Sequence, residues 1–403
     1  MATPAELLQL QRKAERQLIA GYEPEFALDS RRLDALAQWS RTEATAADVD
    51  RALATRRRDS GDLAALLSPV ASTRVEDIAS SAHRLTQQRF GRTMRMFAPL
   101  YLSNECVSEC TYCGFQVWNR DIVRRTLTPD EVRTEARYLT HLGFRHLLLV
   151  AGEHPKHVSV DYIAACVRVC AEVAPNVSIE VQVWDEDTYR TFVDAGCDGV
   201  VVYQETYDPR VYPEHHLKGN KRFFSWRLGA PERAARAGAR RLGIGTLIGL
   251  NEDWRWEVLA LAEHARFLMK RHWRSEVTVA LPRLEPAAGF GSPPNVMTND
   301  ELALAIAALR LTLPDAGIVL STREPPALRD GLARLGVTHM SAGSRTEPGG
   351  YSEPGAAQEQ FHVSDGRPAA DVAASLRAVG LEPVWKDAAP ALRPDGAAGR
   401  ERL

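Results

Sequence analysis

No stretch of the 403-residue sequence approaches the roughly 18 to 20 consecutive apolar residues that a helix needs to cross a bilayer. The first residues lack the charged-then-apolar layout of a secretory signal. Cysteine is also scarce, and six in so long a chain are too few for a disulfide scaffold. These absences predict a cytoplasmic protein whose cysteines are thiols or metal ligands.

The net charge of the chain is also small. Fifty Lys and Arg residues stand against 52 Asp and Glu residues, which leaves a formal charge of −2 and gives no sign of a nucleic-acid or membrane partner. With 45% hydrophobic and 25% charged residues, the composition is that of a globular enzyme, and the chain is long enough to bury a large core.

Short apolar runs alternate with helical patterns between residues 96 and 381, which indicates parallel strands covered by helices. Eight strand-helix repeats in this span fit a (β/α)8 TIM-type barrel, for which about 250 residues is typical. A doubly wound open sheet is the competing architecture. The predicted strands cover residues 96–104, 145–152, 177–183, 198–204, 241–250, 276–282, 317–323 and 338–343.

Two of the intervening helices carry clear start signals. Thr128 and Thr298 are each followed three residues later by Glu, the pattern of a capping box. Pro129 and Gly143 mark the two ends of the first of these helices.

The pattern divides the chain into three parts. Residues 1–85 show helical patterns and no convincing strand, so we expect a helical N-terminal extension packed on the barrel. The barrel itself would span residues 86–387. Residues 388–403 are rich in Ala, Pro and Gly, which is typical of a flexible tail.

A C-x3-C-x2-C array, Cys106, Cys110 and Cys113, directly follows the first predicted strand. In a barrel this loop lies at the carboxyl ends of the strands, where active sites occur. Three thiolates can hold three irons of a cubane cluster that ordinarily takes four cysteines, which leaves one iron open. A zinc site, a redox dithiol and inert buried thiols are the alternatives.

The three remaining cysteines fall on a predicted helix or at the start of a predicted strand. We expect Cys166, Cys170 and Cys197 to be small buried hydrophobic residues.

The array, with Tyr112 just before its last cysteine, resembles the signature of the radical S-adenosylmethionine superfamily. The resemblance implies a [4Fe–4S] cluster whose open iron chelates S-adenosylmethionine. One electron from the cluster then breaks the S–C5′ bond and gives a 5′-deoxyadenosyl radical.

Further segments, in the same order along roughly residues 90–387, resemble the radical S-adenosylmethionine aromatic amino acid lyases, and among them the 2-iminoacetate synthases of thiamine biosynthesis. This resemblance implies cleavage of the Cα–Cβ bond of L-tyrosine to 2-iminoacetate (dehydroglycine) and p-cresol. The segments are APLYLSN (98–104), CTYCGF (110–115), GFRHLLLVAGE (143–153), VVYQETYD (201–208), STRE (321–324), GVTHMSAGSRTEPGGY (336–351), QF (360–361) and PVWKD (383–387).

By the same resemblance, Gly152 and Glu153 correspond to the element that meets the methionine amino group, and Tyr112 belongs to the cofactor site. Glu180 and Gln182 alternate on a predicted strand, so both would point into the barrel toward a polar ligand. Arg227 is a candidate clamp for the methionine carboxylate, because a guanidinium binds carboxylates bidentately. A surface-exposed Glu153 and a surface-exposed Arg227 are the alternatives.

For the amino-acid substrate, Arg323 at the end of the seventh predicted strand is the candidate carboxylate ligand. Ser321 and Tyr101 are candidate positioning residues, with Ser341 and Tyr203 as further polar neighbours. The alternative for Arg323 is a purely structural salt bridge with Glu324.

Three places depart from the usual pattern of the family: Glu105, Val183-Trp184 and Glu285. They keep open a tryptophan lyase that makes 3-methyl-2-indolic acid. A noncatalytic iron–sulfur carrier or assembly module is the alternative from another class. The tyrosine lyase of hydrogenase maturation is disfavoured, because its second cysteine motif has no counterpart after Cys197. Family analogy further implies a flavodoxin or ferredoxin electron donor and delivery of the product to thiazole synthase.

Overall fold

The computed structural model describes residues 19–287 and 297–386. Its strands, in chain order, are β1 (Thr93–Ser103), β2 (Glu109–Cys110), β3 (His146–Ala151), β4 (Asn176–Glu180), β5 (Gly199–Glu205), β6 (His216–Lys218), β7 (Arg241–Thr246), β8 (Glu276–Ala280), β9 (Gly317–Leu320), β10 (His339–Ser341) and β11 (Glu382–Val384).

Eight of these strands form a closed parallel barrel in the order β1-β3-β4-β5-β7-β8-β9-β10. Closure comes from pairing of β10 with β1, which sets Arg95 opposite His339 and Phe97 opposite Ser341. The short β11 pairs with the N-terminal end of β1, from Thr93 to Arg95, and is not part of the ring. The predicted (β/α)8 barrel is therefore confirmed, and the open sheet is wrong.

Helices cover the outside of the barrel and the N-terminal part of the described chain. They are Ser30–Thr42, Ala46–Ala54, Ser60–Leu66, Val75–Phe90, Pro129–His141, Val160–Ala171, Glu186–Asp194, Tyr212–His215, Phe224–Leu228, Ala230–Arg236, Trp254–Arg271, Asn299–Thr312, Pro326–Leu332 and Ala369–Ala378, with 3-10 turns at Pro69–Arg74 and Asn220–Arg222. None of the helices in these two described ranges is both long and apolar enough to cross a membrane.

All eight predicted strands are present, but several end earlier than expected. The predicted strand 177–183 stops at Glu180, because its pairing with β3 reaches only that residue. The predicted strand 241–250 stops at Thr246, and a single bridge from Ile248 to Arg283 continues the contact beyond it. Strands β2, β6 and β11 have two or three residues each, too short to leave a periodic pattern in the sequence.

The predicted helix starts are confirmed. Thr128 accepts a hydrogen bond from the backbone N–H of Glu131, whose carboxylate accepts one from the Thr128 N–H. Thr298 and Glu301 form the same reciprocal pair. Gly143 follows the first of these helices with φ of +104°, a conformation that disfavours residues with a Cβ.

The N-terminal helices lie against the barrel helices. The carboxylate of Glu232 accepts hydrogen bonds from the backbone N–H groups of Glu25 and Phe26. Arg58 donates to the carbonyl of Leu311 at 3.2 Å. The division of the chain at residue 85 stays a prediction, and the predicted tail 388–403 lies outside the described residues.

A fully buried ion pair fixes the end of β10 to the C-terminal part of the chain. Arg329 and Asp365 have no exposed side-chain surface. Arg329 also donates to the carbonyl of Ser341, the last residue of β10. Asp365 receives a second guanidinium from Arg367 at 2.8 Å. Burial of so much charge is favourable only while every partner is in place.

We therefore predict that Arg329→Met lowers the free energy of unfolding by about 3 kcal/mol, the lower end for breaking a buried pair, because Arg367 still neutralises Asp365. Chemical denaturation of the apoprotein measures this change. The exposed Arg334, which follows shortly after Arg329 in the sequence, is the matched control. The free energy of unfolding of Arg334→Met is expected to stay within about 0.5 kcal/mol of that of the wild type. Equal effects of the two substitutions would contradict the assignment.

Candidate active site

The three cysteines of the array converge at the mouth of the barrel. Cys106 follows β1, Cys110 lies in β2, and Cys113 follows directly in the next turn. The segment that carries them, residues 104–119, is called the cysteine loop here. The antiparallel pairing of Cys110 with His216 anchors this loop to β6. A second anchor is the hydrogen bond from the Val107 N–H to the carbonyl of Glu153 at 2.8 Å.

Tyr112 connects the cysteine loop to β6 through a hydrogen bond to His216. Its hydroxyl lies 2.8 Å from Nε2 of His216, and Nδ1 of His216 lies 2.8 Å from the carbonyl of Tyr212. Burial and then Lys221 lower the pKa of His216 to about 2, so the ring is neutral. Because Nδ1 must donate to the carbonyl, Nε2 accepts the hydrogen bond from Tyr112.

The thiols fit a metal cluster better than an isolated role. All three are free, and they border two apolar groups of side chains around Phe115 and Leu247. Burial raises the pKa of Cys106 to about 11 and raises that of Cys110 further. Thiolates at these positions need the positive charge of bound iron to be stable, and three of them suit a [4Fe–4S] cluster with one open iron.

Glu153 lies next to this loop and is buried, not exposed as in the alternative considered from the sequence. Ser108, within the cysteine loop, donates to its carboxylate at 3.0 Å. Gly152 has no room for a side chain, since a Cβ there would lie 2.4 Å from the carbonyl oxygen of Glu105 and 3.2 Å from Cβ of Cys106. The Gly-Glu pair is therefore packed against the residues that begin the array.

Buried charges of both signs form a network beside the cysteine loop. Lys221 donates to Glu205 at 2.7 Å, and Arg227 lies 3.6 Å from Glu153 and 3.7 Å from Glu205. Burial acts to raise the pKa of Glu205, but Lys221 and Arg227 outweigh it and hold that pKa below its ordinary value. Glu205 also has φ of +73°, the one positive φ at a non-glycine residue in the described chain.

Arg227 makes only some of the hydrogen bonds that its guanidinium group can form. It is 6% exposed, and its Nε donates to the carbonyl of Tyr203 at 2.7 Å. Its Nη1 is buried and makes no hydrogen bond among the described residues. Because a buried guanidinium N–H without an acceptor is costly, this atom fits the carboxylate of a bound ligand, as expected for S-adenosylmethionine.

A cavity opens from this network into the barrel. The candidate residues that line it are Tyr101, Tyr112, Cys113, Glu180, Tyr203, Ser321, Arg323 and Ser341. Apolar walls come from Phe97, Leu148, Val150, Leu281 and Val319. Cys113, one of the predicted cluster ligands, and Arg323, the predicted carboxylate ligand of the substrate, thus line the same cavity.

Glu180 lies at the last position of β4 and faces this cavity. Burial, and after it the nearby charge of Glu205, raise its pKa to about 7, although Lys221, Arg227 and Arg323 act in the opposite direction. Glu180 therefore changes its charge near neutral pH.

The guanidinium of Arg323 stacks on the ring of Phe361 at 3.4 Å from the ring centroid. The alternative of a salt bridge between Arg323 and Glu324 is wrong, because Arg283 takes both oxygens of Glu324. Arg323 remains available to an anion in the cavity.

Gln182 is the candidate that the structure places neither in the cavity lining nor beside the cysteines. It lies two residues beyond the end of β4, in a bend, and is not one of the residues that line the cavity. The expectation that it shares a strand face with Glu180 is wrong, because the strand pairing ends before it. The departures at Glu105, Val183-Trp184 and Glu285 also lie outside the cavity lining.

Several residues at the site carried no signal that sequence reasoning used. Glu205 belongs to the segment 201–208, whereas Lys221 belongs to none of the segments that carry the resemblance, and only the fold brings the two together. Gln360 donates from Nε2 to Sγ of Cys113 at 3.7 Å. The resemblance includes its segment, QF (360–361), but implies no role for Gln360. The three remaining cysteines, Cys166, Cys170 and Cys197, are buried as predicted.

The barrel, the cysteine array at its mouth and the adjoining buried cations define the class, a radical S-adenosylmethionine enzyme. Residues 100–262 match the Radical SAM superfamily, and residues 280–382 match the Biotin and Thiamin Synthesis associated domain. This membership confirms the predicted cofactors, a [4Fe–4S] cluster and S-adenosylmethionine, and excludes a noncatalytic carrier.

Similarity to individual proteins is more specific. The sequence is 45% identical to the 2-iminoacetate synthases of Salmonella typhimurium and Escherichia coli over 343 residues, which are 85% of this chain and 91% of each relative. The hydrogenase maturase HydG from Carboxydothermus hydrogenoformans superposes with a TM-score of 0.81 at 30% identity, over 90% of this chain and 86% of that one. The chain belongs to the 2-iminoacetate synthase family.

The contact at Gly152 generates a first prediction for the site. Gly152→Ala should displace the start of the cysteine loop, because a Cβ cannot stay 2.4 Å from the Glu105 carbonyl oxygen, and iron and sulfide bound per chain after anaerobic reconstitution should fall. Gly366→Ala is the matched control, since a Cβ at Gly366 meets nothing within 4 Å. Wild-type iron content in Gly152→Ala would contradict the packing argument.

The raised pKa of Glu180 generates a second prediction, for the apoprotein. Between the ordinary value of 4.5 and about 7, the folded state holds a proton that the unfolded state has lost. The free energy of unfolding should therefore fall as pH rises through this interval and level off above it. Denaturation of wild type and Glu180→Gln across pH 4.5–8 tests this, since the variant lacks this component. Parallel profiles for the two proteins would refute it.

Proposed function

We propose that this protein cleaves the Cα–Cβ bond of L-tyrosine to 2-iminoacetate and p-cresol, for the thiazole moiety of thiamine. The observation that carries the proposal is the cavity that Arg323 and Cys113 both line. It brings a cation suited to an amino-acid carboxylate into the same cavity as a ligand of the cluster. The reaction named for the relatives at 45% identity supports the same substrate.

The cofactors supply the reactive species. When bound, the reduced cluster and S-adenosylmethionine provide a 5′-deoxyadenosyl radical that removes a hydrogen atom from the amino group of the substrate. Cys106, Cys110 and Cys113 would hold the cluster, and Glu153 and Arg227 would receive the amino and carboxylate groups of the methionine part.

The protein contributes position and exclusion of water. Arg323 binds the substrate carboxylate, and the side chain of Ser321 lies beside it in the cavity lining. Tyr101 and the apolar walls formed by Phe97 and Leu148 surround the rest of the substrate. Fixing the amine next to the radical source is the main task, because the radical would otherwise react with other groups.

Two partners complete the proposal. A flavodoxin or a ferredoxin would deliver the electron. Thiazole synthase would take the imine directly, because an imine hydrolyses in water. Both are inferred from the reaction and not from a contact surface.

The test is an anaerobic assay of the reconstituted enzyme with dithionite, S-adenosylmethionine and L-tyrosine, and Arg323→Met is the informative variant. We expect its kcat/KM for tyrosine to fall about 100-fold, equivalent to about 2.7 kcal/mol for one charge-assisted pair. Formation of 5′-deoxyadenosine with tyramine, which lacks the carboxylate, should be unchanged by the substitution. Arg345→Met, at an exposed arginine of a neighbouring loop, is the control.

Three outcomes oppose the proposal at different points. Absence of 5′-deoxyadenosine from wild-type enzyme would remove the lyase, and indole products from tryptophan in place of p-cresol would select the tryptophan lyase. Equal losses with tyrosine and tyramine in Arg323→Met would remove Arg323 from carboxylate binding.

A further inference from the structure

One hydrogen-bonded side chain joins the wall of the cavity to the cysteine array. Gln360 donates from Nε2 to Sγ of Cys113 at 3.7 Å, and its Oε1 accepts a hydrogen bond from the hydroxyl of Tyr101 at 2.7 Å. No other side-chain amide in the described residues is hydrogen-bonded to a sulfur of the array. The contact belongs to the loop after β10 and not to the cysteine loop itself.

The backbone around Gln360 is held in place. Its N–H donates to the carbonyl of Thr346 at 3.0 Å, and the Thr346 hydroxyl donates to the carbonyl of Phe361 at 3.1 Å. Gly114, next to Cys113, allows the close approach, since a Cβ there would lie 2.8 Å from the carbonyl oxygen of Gln360. The amide is thus positioned by contacts on both sides of the side chain.

The direction of the amide follows from its two partners. A cysteine sulfur that ligates iron carries negative charge and accepts hydrogen bonds, so the NH2 end of Gln360 must face Cys113. The oxygen then faces Tyr101, which has a hydroxyl proton to give. Tyr101 therefore holds the amide in the orientation that suits a thiolate ligand.

We propose that Gln360 is a positioning residue that stabilises the reduced cluster through an N–H···S hydrogen bond to Cys113, with Tyr101 fixing the orientation of its amide. Reduction adds negative charge to the cluster and its sulfur ligands, so a donor at a ligand sulfur favours the reduced form and raises the reduction potential. The inference rests on the iron–sulfur part of the proposed function and is independent of the identity of the substrate.

The test measures the midpoint potential of the reconstituted cluster by redox titration followed by electron paramagnetic resonance, without amino acid or S-adenosylmethionine. Gln360→Leu removes the donor and should lower the midpoint potential. Gln360→Glu keeps the shape and the contact with Tyr101 but sets an oxygen toward the sulfur, so the midpoint potential should fall further. Tyr101→Phe leaves the amide free to turn and should give the smallest decrease.

Gln116→Leu is the matched control, because Gln116 lies in the cysteine loop and its side chain makes no hydrogen bond among the described residues. Its midpoint potential should equal that of the wild type. A wild-type midpoint potential in Gln360→Leu would overturn the proposal. If Gln360→Leu assembles no cluster, the nearly isosteric Gln360→Glu provides the test. A wild-type midpoint potential in Gln360→Glu would also overturn the proposal. Because no substrate is present, failure of tyrosine turnover would leave this result unaffected.

Discussion

Mutual compensation among buried charges is the constraint on which the site depends. Burial acts to raise the pKa of Glu205, but Lys221 and Arg227 hold that pKa below its ordinary value. Conversely, burial and Arg227 act to lower the pKa of Lys221, and Glu205 and Glu153 raise it above its ordinary value. No member can be removed alone without leaving an opposite charge uncompensated in a medium of low polarity. The network is therefore rigid, and the strained backbone at Glu205 is tolerated within it.

The network is nevertheless incomplete without a ligand, since one guanidinium nitrogen of Arg227 makes no hydrogen bond in the described chain. An anion that fills this position recovers the interaction and meets a cation that is already oriented. Preorganisation of this kind lowers the entropic cost of binding. In the proposed site this position would set the methionine part of the cofactor beside Glu153, whose carbonyl accepts a hydrogen bond from the backbone of the cysteine loop.

The sequence predicts the barrel well because parallel strands with both faces buried leave short, nearly continuous apolar runs, and helices between them leave capping boxes. It predicts the cysteine array because the three ligands lie within eight residues. It does not predict the pairing of Arg283 with Glu324 or the place of Gln182, because both depend on where strand pairing ends. Lys221 and Glu205 are only 16 residues apart, but their contact depends on how the segment after β5 folds back. Gln360 is further from prediction still, since it meets Tyr101 and Cys113 from the loop after β10, where the ring closes between β10 and β1.

The two halves of the chain divide the work of the site. The cluster ligands, Glu153 and Arg227 lie within residues 100–262, whereas Arg323, Ser321 and the Phe361 ring that supports Arg323 lie beyond residue 280. In the proposed site, a substitution at Ser321 or Arg323 would therefore alter the end of the cavity assigned to the amino acid without replacing a cluster ligand. Glu105 and Trp184 are in the first half and outside the cavity lining, so the side chains at these departures do not form its walls.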